Sequence, residues 1–494
     1  MGGILHLVED RPTPKNVYNW RVYVLALIAS CGSNMIGYTS GFIGTTITLP
    51  SFEREFGLDK MTSSHVDLIS ENIVSLFIAG AFFGALLTYG ISHVFGRKWS
   101  LTISSAVFIL GAGLQMGANG SRGLGILYAG RVLSGLGTGV ASNVVPIYLS
   151  ELAPPAIRGR LYGVEQTMPS DHQQWVIPFA VQLIPSGMLF LGSLWMRESP
   201  RWLFLKGRRE QAMKNLCWIR QLDETDIYIT EEVATVDQAI EEQVATVGLG
   251  FWKPFKAVFQ APSLQYRLFL GCMLFFWQNA SGINAINYYS PTIFASLGVT
   301  GNTKGILNGI FGVVKAVFTV IWLLFLVDQF GRRKLLLCGA VCGSACMYAI
   351  GAYIYIVRPT EHPQDHLNGG GIAAIFFFYL WTAVYTPTWN GTPWVINSEF
   401  FDPNIRPLSQ ACTTASNWLF NFLVSRFTEQ MFAAMSYGVG IPLEAVDQLF
   451  RIKPIWRANE KLKEQLREEE ERFRHEMKDG AFEKNDPQEH VESA

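Results

Sequence analysis

The chain has 494 residues, of which 49% are hydrophobic and only 16% charged. Its net charge of −1 gives no electrostatic case for nucleic acid as a partner. The apolar residues come in runs of about 20, the length a helix needs to cross the hydrocarbon of a bilayer, and these runs lack the polar faces that would break a soluble core helix. In chain order the runs fall near 20–42, 69–91, 100–118, 124–149, 174–196, 268–290, 306–327, 335–357, 371–396 and 408–425. Residues 1–19 are polar and read as a cytoplasmic N-terminus; the first apolar run is long enough to span, so no cleaved leader is expected. Residues 20–196 form a first helical bundle, 197–266 a charged cytoplasmic linker, 267–440 a second bundle, and 441–494 a charged cytoplasmic tail with alternating signs along Glu460–Lys478. The expected class is an all-α polytopic membrane protein with the bilayer as its partner.

The two bundles repeat one another. Gly96-Arg97-Lys98 recurs as Gly331-Arg332-Arg333, and Glu151 with Arg158 seven residues on recurs as Glu399 with Arg406. Internal duplication of this kind builds many secondary transporters, with a substrate site between the halves. No nucleophile elbow, metal-ligand cluster or phosphate loop stands in a plausible context, so neither an enzyme nor a cofactor is expected. The glycines of Gly130–Gly139 lie inside an apolar run, as do Gly80 and Gly84, and read as close helix packing rather than a nucleotide loop. Cys338, Cys342 and Cys346 recur every fourth residue with no His or carboxylate among them, and read as small apolar packing.

Ionisable and amide groups inside spans are expensive and mark function. Arg131 in the fourth run needs a partner or an aqueous cavity. Lys315 lies about 12 residues from the helix end at Asp328 and reads as lining a cavity that favours an anion. The run Trp277–Tyr289 concentrates Gln278, Asn279, Asn284 and Asn287 in one span, and Trp389-Asn390-Gly391-Thr392-Pro393-Trp394 breaks another helix with Gly and Pro. Asn417-Trp418 adds a further amide beside an aromatic ring. Amides with aromatic faces are the groups that read a hydroxylated ring.

These residues resemble the sugar-porter family of the major facilitator superfamily. The resemblance is carried by Leu133-Ser134-Gly135 through Pro146–Glu151 to Arg158-Gly159-Arg160, by Glu198–Leu203, by Gly282-Ile283-Asn284 with Tyr288-Tyr289, and by Asp328–Arg333. Within the family, Val8–Pro14, Gly250–Phe255 and Trp389–Trp394 are similar to the fungal quinate-permease group. The resemblance implies alternating access between two six-helix bundles. By position it implies a substrate site at Gln278, Asn279, Asn284, Trp394 and Asn417, to which the reading above adds Lys315. It implies conformation-latching charge networks at Arg97, Glu151, Arg158, Asp328, Arg332, Glu399 and Arg406. The implied substrate is quinate or a similar hydroxylated cyclic carboxylate. A neutral sugar or polyol carrier and a non-transporting sensor or regulatory isoform are the alternatives.

Three departures set further expectations. Proton-coupled members of the family carry an Asp where this chain has Thr39, opposite Arg131; Thr39 does not titrate, so uncoupled movement is expected. The fifth span is missing, because Leu161–His172 is too short and too polar to cross. The twelfth is missing after Gly438-Val439. About ten spans are expected in place of twelve, with impaired transport.

Overall fold

The computed structural model describes residues 19–438, together with 14 and 17, except 48, 121–122, 153–171, 247, 249, 285, 288–293, 295–298, 300–302, 323–330, 358–368 and 402–404. The chain divides into two compact units, Met1–Arg426 and Phe427–Ala494. The side-chain contacts below all lie in the first; of the second, the described part is the end of a helix.

Among the described residues the regular elements are helices. The first half contains α1 (Trp20–Ile47), α2 (Pro50–Glu55), α3 (Ser63–Met116), α4 (Leu124–Leu152), α5 (His172–Val181) and α6 (Leu183–Trp195). The linker forms α7 (Pro200–Leu205), α8 (Arg209–Arg220), α9 (Ile227–Thr246) and α10 (Lys253–Gln260). The second half contains α11 (Pro262–Ala280), α12 (Thr303–Ile321), α13 (Arg332–Val357), α14 (Gly369–Tyr385), α15 (Thr392–Phe400) and α16 (Arg406–Gly438). Among the described residues, six helical stretches are long and apolar enough to cross a membrane: Trp20–Gly44, Leu68–Met116, Leu124–Tyr148, Trp175–Trp195, Arg332–Ile354 and Gly369–Phe400. Leu68–Met116 holds two of the apolar runs, divided at Gly96 by a left-handed backbone with φ 89°. Gly309–Ile321 is a shorter apolar helix.

The glycine-rich run of α4 packs as the sequence implies. A Cβ on Gly135 or Gly139 would collide with the main-chain oxygens of Phe77 and Ala81 on α3. A Cβ on Gly137 would collide with the main-chain oxygen of Ser104 and lie 2.9 Å from the Phe108 Cβ. Small residues thus let α3 and α4 approach backbone to backbone, where van der Waals contact replaces a hydrophobic drive that lipid cannot supply. Around this seam a core gathers Met35, Phe42, Phe52, Phe77, Phe108 and Trp175.

The reading of the three cysteines needs correction. Cys346 is buried, but Cys338 and Cys342 are exposed on α13, so the stripe turns out of the packed face after one member.

The linker is a folded element. Trp202, Leu203, Phe204, Leu216, Ile229 and Val233 form its core. Ser199 caps α7 through the Trp202 N–H, with Pro200 in the first turn. The linker docks on α1, where Asn19 Nδ2 donates to the Ile219 carbonyl and Arg21 to the Trp218 carbonyl, both at 2.7 Å.

Candidate functional site

The amides singled out in the second half come together around a broken helix. Between α14 and α15 the chain forms a π turn over Thr386–Asn390, where Pro387 removes a donor and Gly391 follows. Carbonyls freed there need another partner inside the membrane. Gln278 supplies it: its Nε2 donates to the carbonyls of Trp389 and Asn390 at 2.9 and 3.0 Å. Its Oε1 is buried with no hydrogen-bond partner.

Next to it, Asn279 Nδ2 donates to the Phe275 carbonyl and to Asn417 Oδ1, each at 2.8 Å. Asn284 Nδ2 in turn donates to Asn279 Oδ1. The helix is interrupted between these residues at Gly282, whose φ is 81°. The outcome is a relay, Asn284 to Asn279 to Asn417, that ties the end of α11 to α16. Trp394 packs edge-on against Phe275, whose carbonyl accepts from Asn279, with ring centroids 4.8 Å apart.

Lys315 of α12 donates to Asn287 Oδ1 at 3.0 Å and lies 5.3 Å from the Phe311 ring centroid. An amide oxygen and an aromatic face thus offset part of the cost of a cation in a span. Asn287 follows Asn284 by three residues, which tethers Lys315 beside the relay.

In the first half, Arg131 is fully buried. Its Nε donates to the Ile73 carbonyl at 2.9 Å, and its guanidinium lies 4.5 Å from the Phe77 centroid. Thr39 is also buried, but its hydroxyl donates to the Met35 carbonyl of its own helix at 2.8 Å.

The expected charge networks come together in part. Arg332 pairs with Glu399 at 2.9 Å; both are substantially exposed, so the pair alone stabilises little. Arg406 donates to the Phe401 carbonyl at 3.3 Å. Glu151 ends α4 with its side chain outside the described residues, and Arg158 and Asp328 also lie outside them.

The partner of the Arg97 segment is one the motif reading passed over. Glu198 accepts from the main-chain N–H of Arg97 at 2.8 Å, of Lys98 at 3.2 Å and of Ser199 at 3.0 Å. It caps the helix that starts after Gly96, where a Cβ would collide with its carboxylate. Burial pushes the Glu198 carboxyl above its ordinary value, against the pull of these N–H groups and of Arg97. The signal was present in the Glu198–Leu203 run, but nothing in one sequence says which turn it caps.

Comparison with known proteins places this architecture. The family described as "Sugar (and other) transporter" matches residues 25–170 and 168–473, in two segments that meet at 168–170. A probable quinate permease of Aspergillus flavus is 60% identical over 525 aligned positions, covering 98% of both chains. One from Aspergillus niger is 59% identical over 524 positions, covering 97% of both. Since 98% of this chain is about 484 residues, the A. flavus protein carries about 40 residues with no counterpart here. Among solved structures, the proton:xylose symporter XylE bound to 6-bromo-6-deoxy-D-glucose superposes with a TM-score of 0.69 at 25% identity, over 85% of this chain and 90% of XylE. The chain is a multi-pass membrane protein that belongs to the sugar transporter family within the major facilitator superfamily.

Proposed function

We propose that the chain moves quinate or a similar hydroxylated cyclic carboxylate across the plasma membrane by alternating access. The observation that carries this reading is the amide relay of Asn284, Asn279 and Asn417 with Gln278 beside it and Lys315 tethered through Asn287. The amides offer donors and acceptors to ring hydroxyls, and Trp394 contributes an aromatic face. Lys315 supplies the positive charge that a carboxylate needs and a neutral polyol does not. The names of the A. flavus and A. niger relatives point the same way. Arg332 with Glu399, Arg406, Arg97 and the residues at Glu151, Arg158 and Asp328 would bias the two conformations at the cytoplasmic face. Uptake of labelled quinate by cells expressing the chain, challenged with unlabelled quinate, glucose or inositol, tests the substrate. Displacement by quinate alone supports the reading, and equal displacement by glucose or inositol favours the neutral-substrate alternative.

Movement is read as uncoupled from protons at the Thr39–Arg131 position, because a hydroxyl bonded to its own helix carries no titratable charge. A second reading rests on the shortfall against the relatives. About 40 residues amount to two spans, which suits a fifth and a twelfth helix absent from this chain, and a chain short of both would be impaired or regulatory. Sequencing the native message across codons 158–178 and 432–446 separates these. Extra in-frame apolar segments there restore twelve spans; a matching message favours the regulatory isoform.

A further inference from the structure

We propose that Glu71 and Arg426 form the outer latch of the translocation path, an ion pair across the two halves that holds the extracellular end shut. Glu71 on α3 pairs directly with Arg426 on α16. Its carboxylate is buried, with 3% of the side chain exposed against 25% for Arg426. A carboxylate buried in protein is costly unless paired. Stability alone is a poor reason to keep one, because an apolar pair of similar volume does as well or better.

Position gives the pair its role. Helix α3 belongs to the first half and α16 to the second, and the two meet along one seam at three levels. At one end stands Glu71 with Arg426. In the middle, Phe77 packs edge-on against Trp418, whose indole N–H donates to Ser142 of α4 at 3.1 Å. At the other end Tyr89 joins Leu408 and Ala411. That last end is cytoplasmic by the positive-inside tendency, since Tyr89 precedes Gly96-Arg97-Lys98 and Leu408 follows Arg406. Glu71 lies 25 residues before Gly96, so the ion pair sits about 37 Å along the helix, at the outer face. Halves that rock about this seam part at one end while meeting at the other. Two other charged groups of the first half are engaged elsewhere. Arg131 of α4 bonds the Ile73 carbonyl, and Glu55 of α2 accepts from Trp175 at 2.9 Å. When the outer end opens, water replaces the partner for both charges, so the pair is reversible.

The proposal rests on the transport reading, and its test is independent of flux. Phe422 packs against the core of the first half, between Trp418 and Arg426 on α16. A Phe422→Cys variant of the full chain, with the native cysteines replaced by serine, is exposed to a membrane-impermeant maleimide outside intact cells. We expect Glu71→Gln and Arg426→Gln each to raise the labelling rate several-fold, and the exchanged pair Glu71→Arg with Arg426→Glu to restore the parental rate. Unchanged labelling in both neutral variants at normal surface abundance overturns the latch, as does an exchanged pair that labels like them. A chain that shows the labelling response without quinate flux keeps the latch and overturns the substrate reading.

Discussion

Lys315 Nζ lies 3.0 Å from Asn287 Oδ1, so the cation within α12 is held by the segment that carries the amide relay. A hydrogen bond to a charged group is worth about 1.5–3 kcal/mol, or roughly 10- to 100-fold. Replacing Lys315 with Ala is therefore expected to weaken quinate uptake by about that factor while a neutral polyol is affected much less. The check is KM for both substrates in the same cells; equal losses would refute the charge role.

Much of this arrangement was legible in the sequence. The repeated Gly-Arg motif, the glycine stripe of α4 and the depth of Lys315 each follow from spacing and from the cost of polar groups in lipid. The broken helix at Trp389–Trp394 was legible from Gly391 and Pro393, but Gln278 as the donor to its carbonyls was not. Periodicity says which residues share a face and leaves open which faces meet. For the same reason Glu198 was seen as part of a motif without its role as a cap, and Asn287 was one amide among several. Glu71 and Arg426 are 355 residues apart and follow no repeat. Cys338 and Cys342 were read as packing because spacing does not distinguish a face turned to lipid from one turned to protein.

Thr39 donates to the Met35 carbonyl, and a hydroxyl at that position carries no titratable charge. Quinate uptake is expected to be unchanged by a protonophore. Accumulation driven by external acid and abolished by the protonophore would contradict this.

The α3–α4 seam has no room for a side chain at Gly135. Overpacking of this kind costs about 1–3 kcal/mol. Gly135→Ala is expected to lower the melting temperature of the detergent-purified protein, whereas Gly113→Ala, with open space around it, should leave it unchanged. Equal shifts for both would show that the seam is looser than described.

Glu198 predicts a pH dependence of stability. Its carboxyl is raised by burial, so the folded chain holds a proton that the unfolded chain releases. That contribution is complete below the ordinary value of 4.5 and is lost as pH rises through the folded value. Thermal stability should decline across this window, and Glu198→Gln should flatten the decline. An unaltered slope in the variant would place its origin elsewhere.

Transport of a hydroxylated cyclic carboxylate by this fold can be followed in a defined membrane. The decisive measurement is counterflow of labelled quinate in proteoliposomes loaded with unlabelled quinate, glucose or inositol. Saturable exchange is expected with quinate inside and little with either neutral compound. Exchange of equal size with glucose or inositol, or none with quinate, would contradict it.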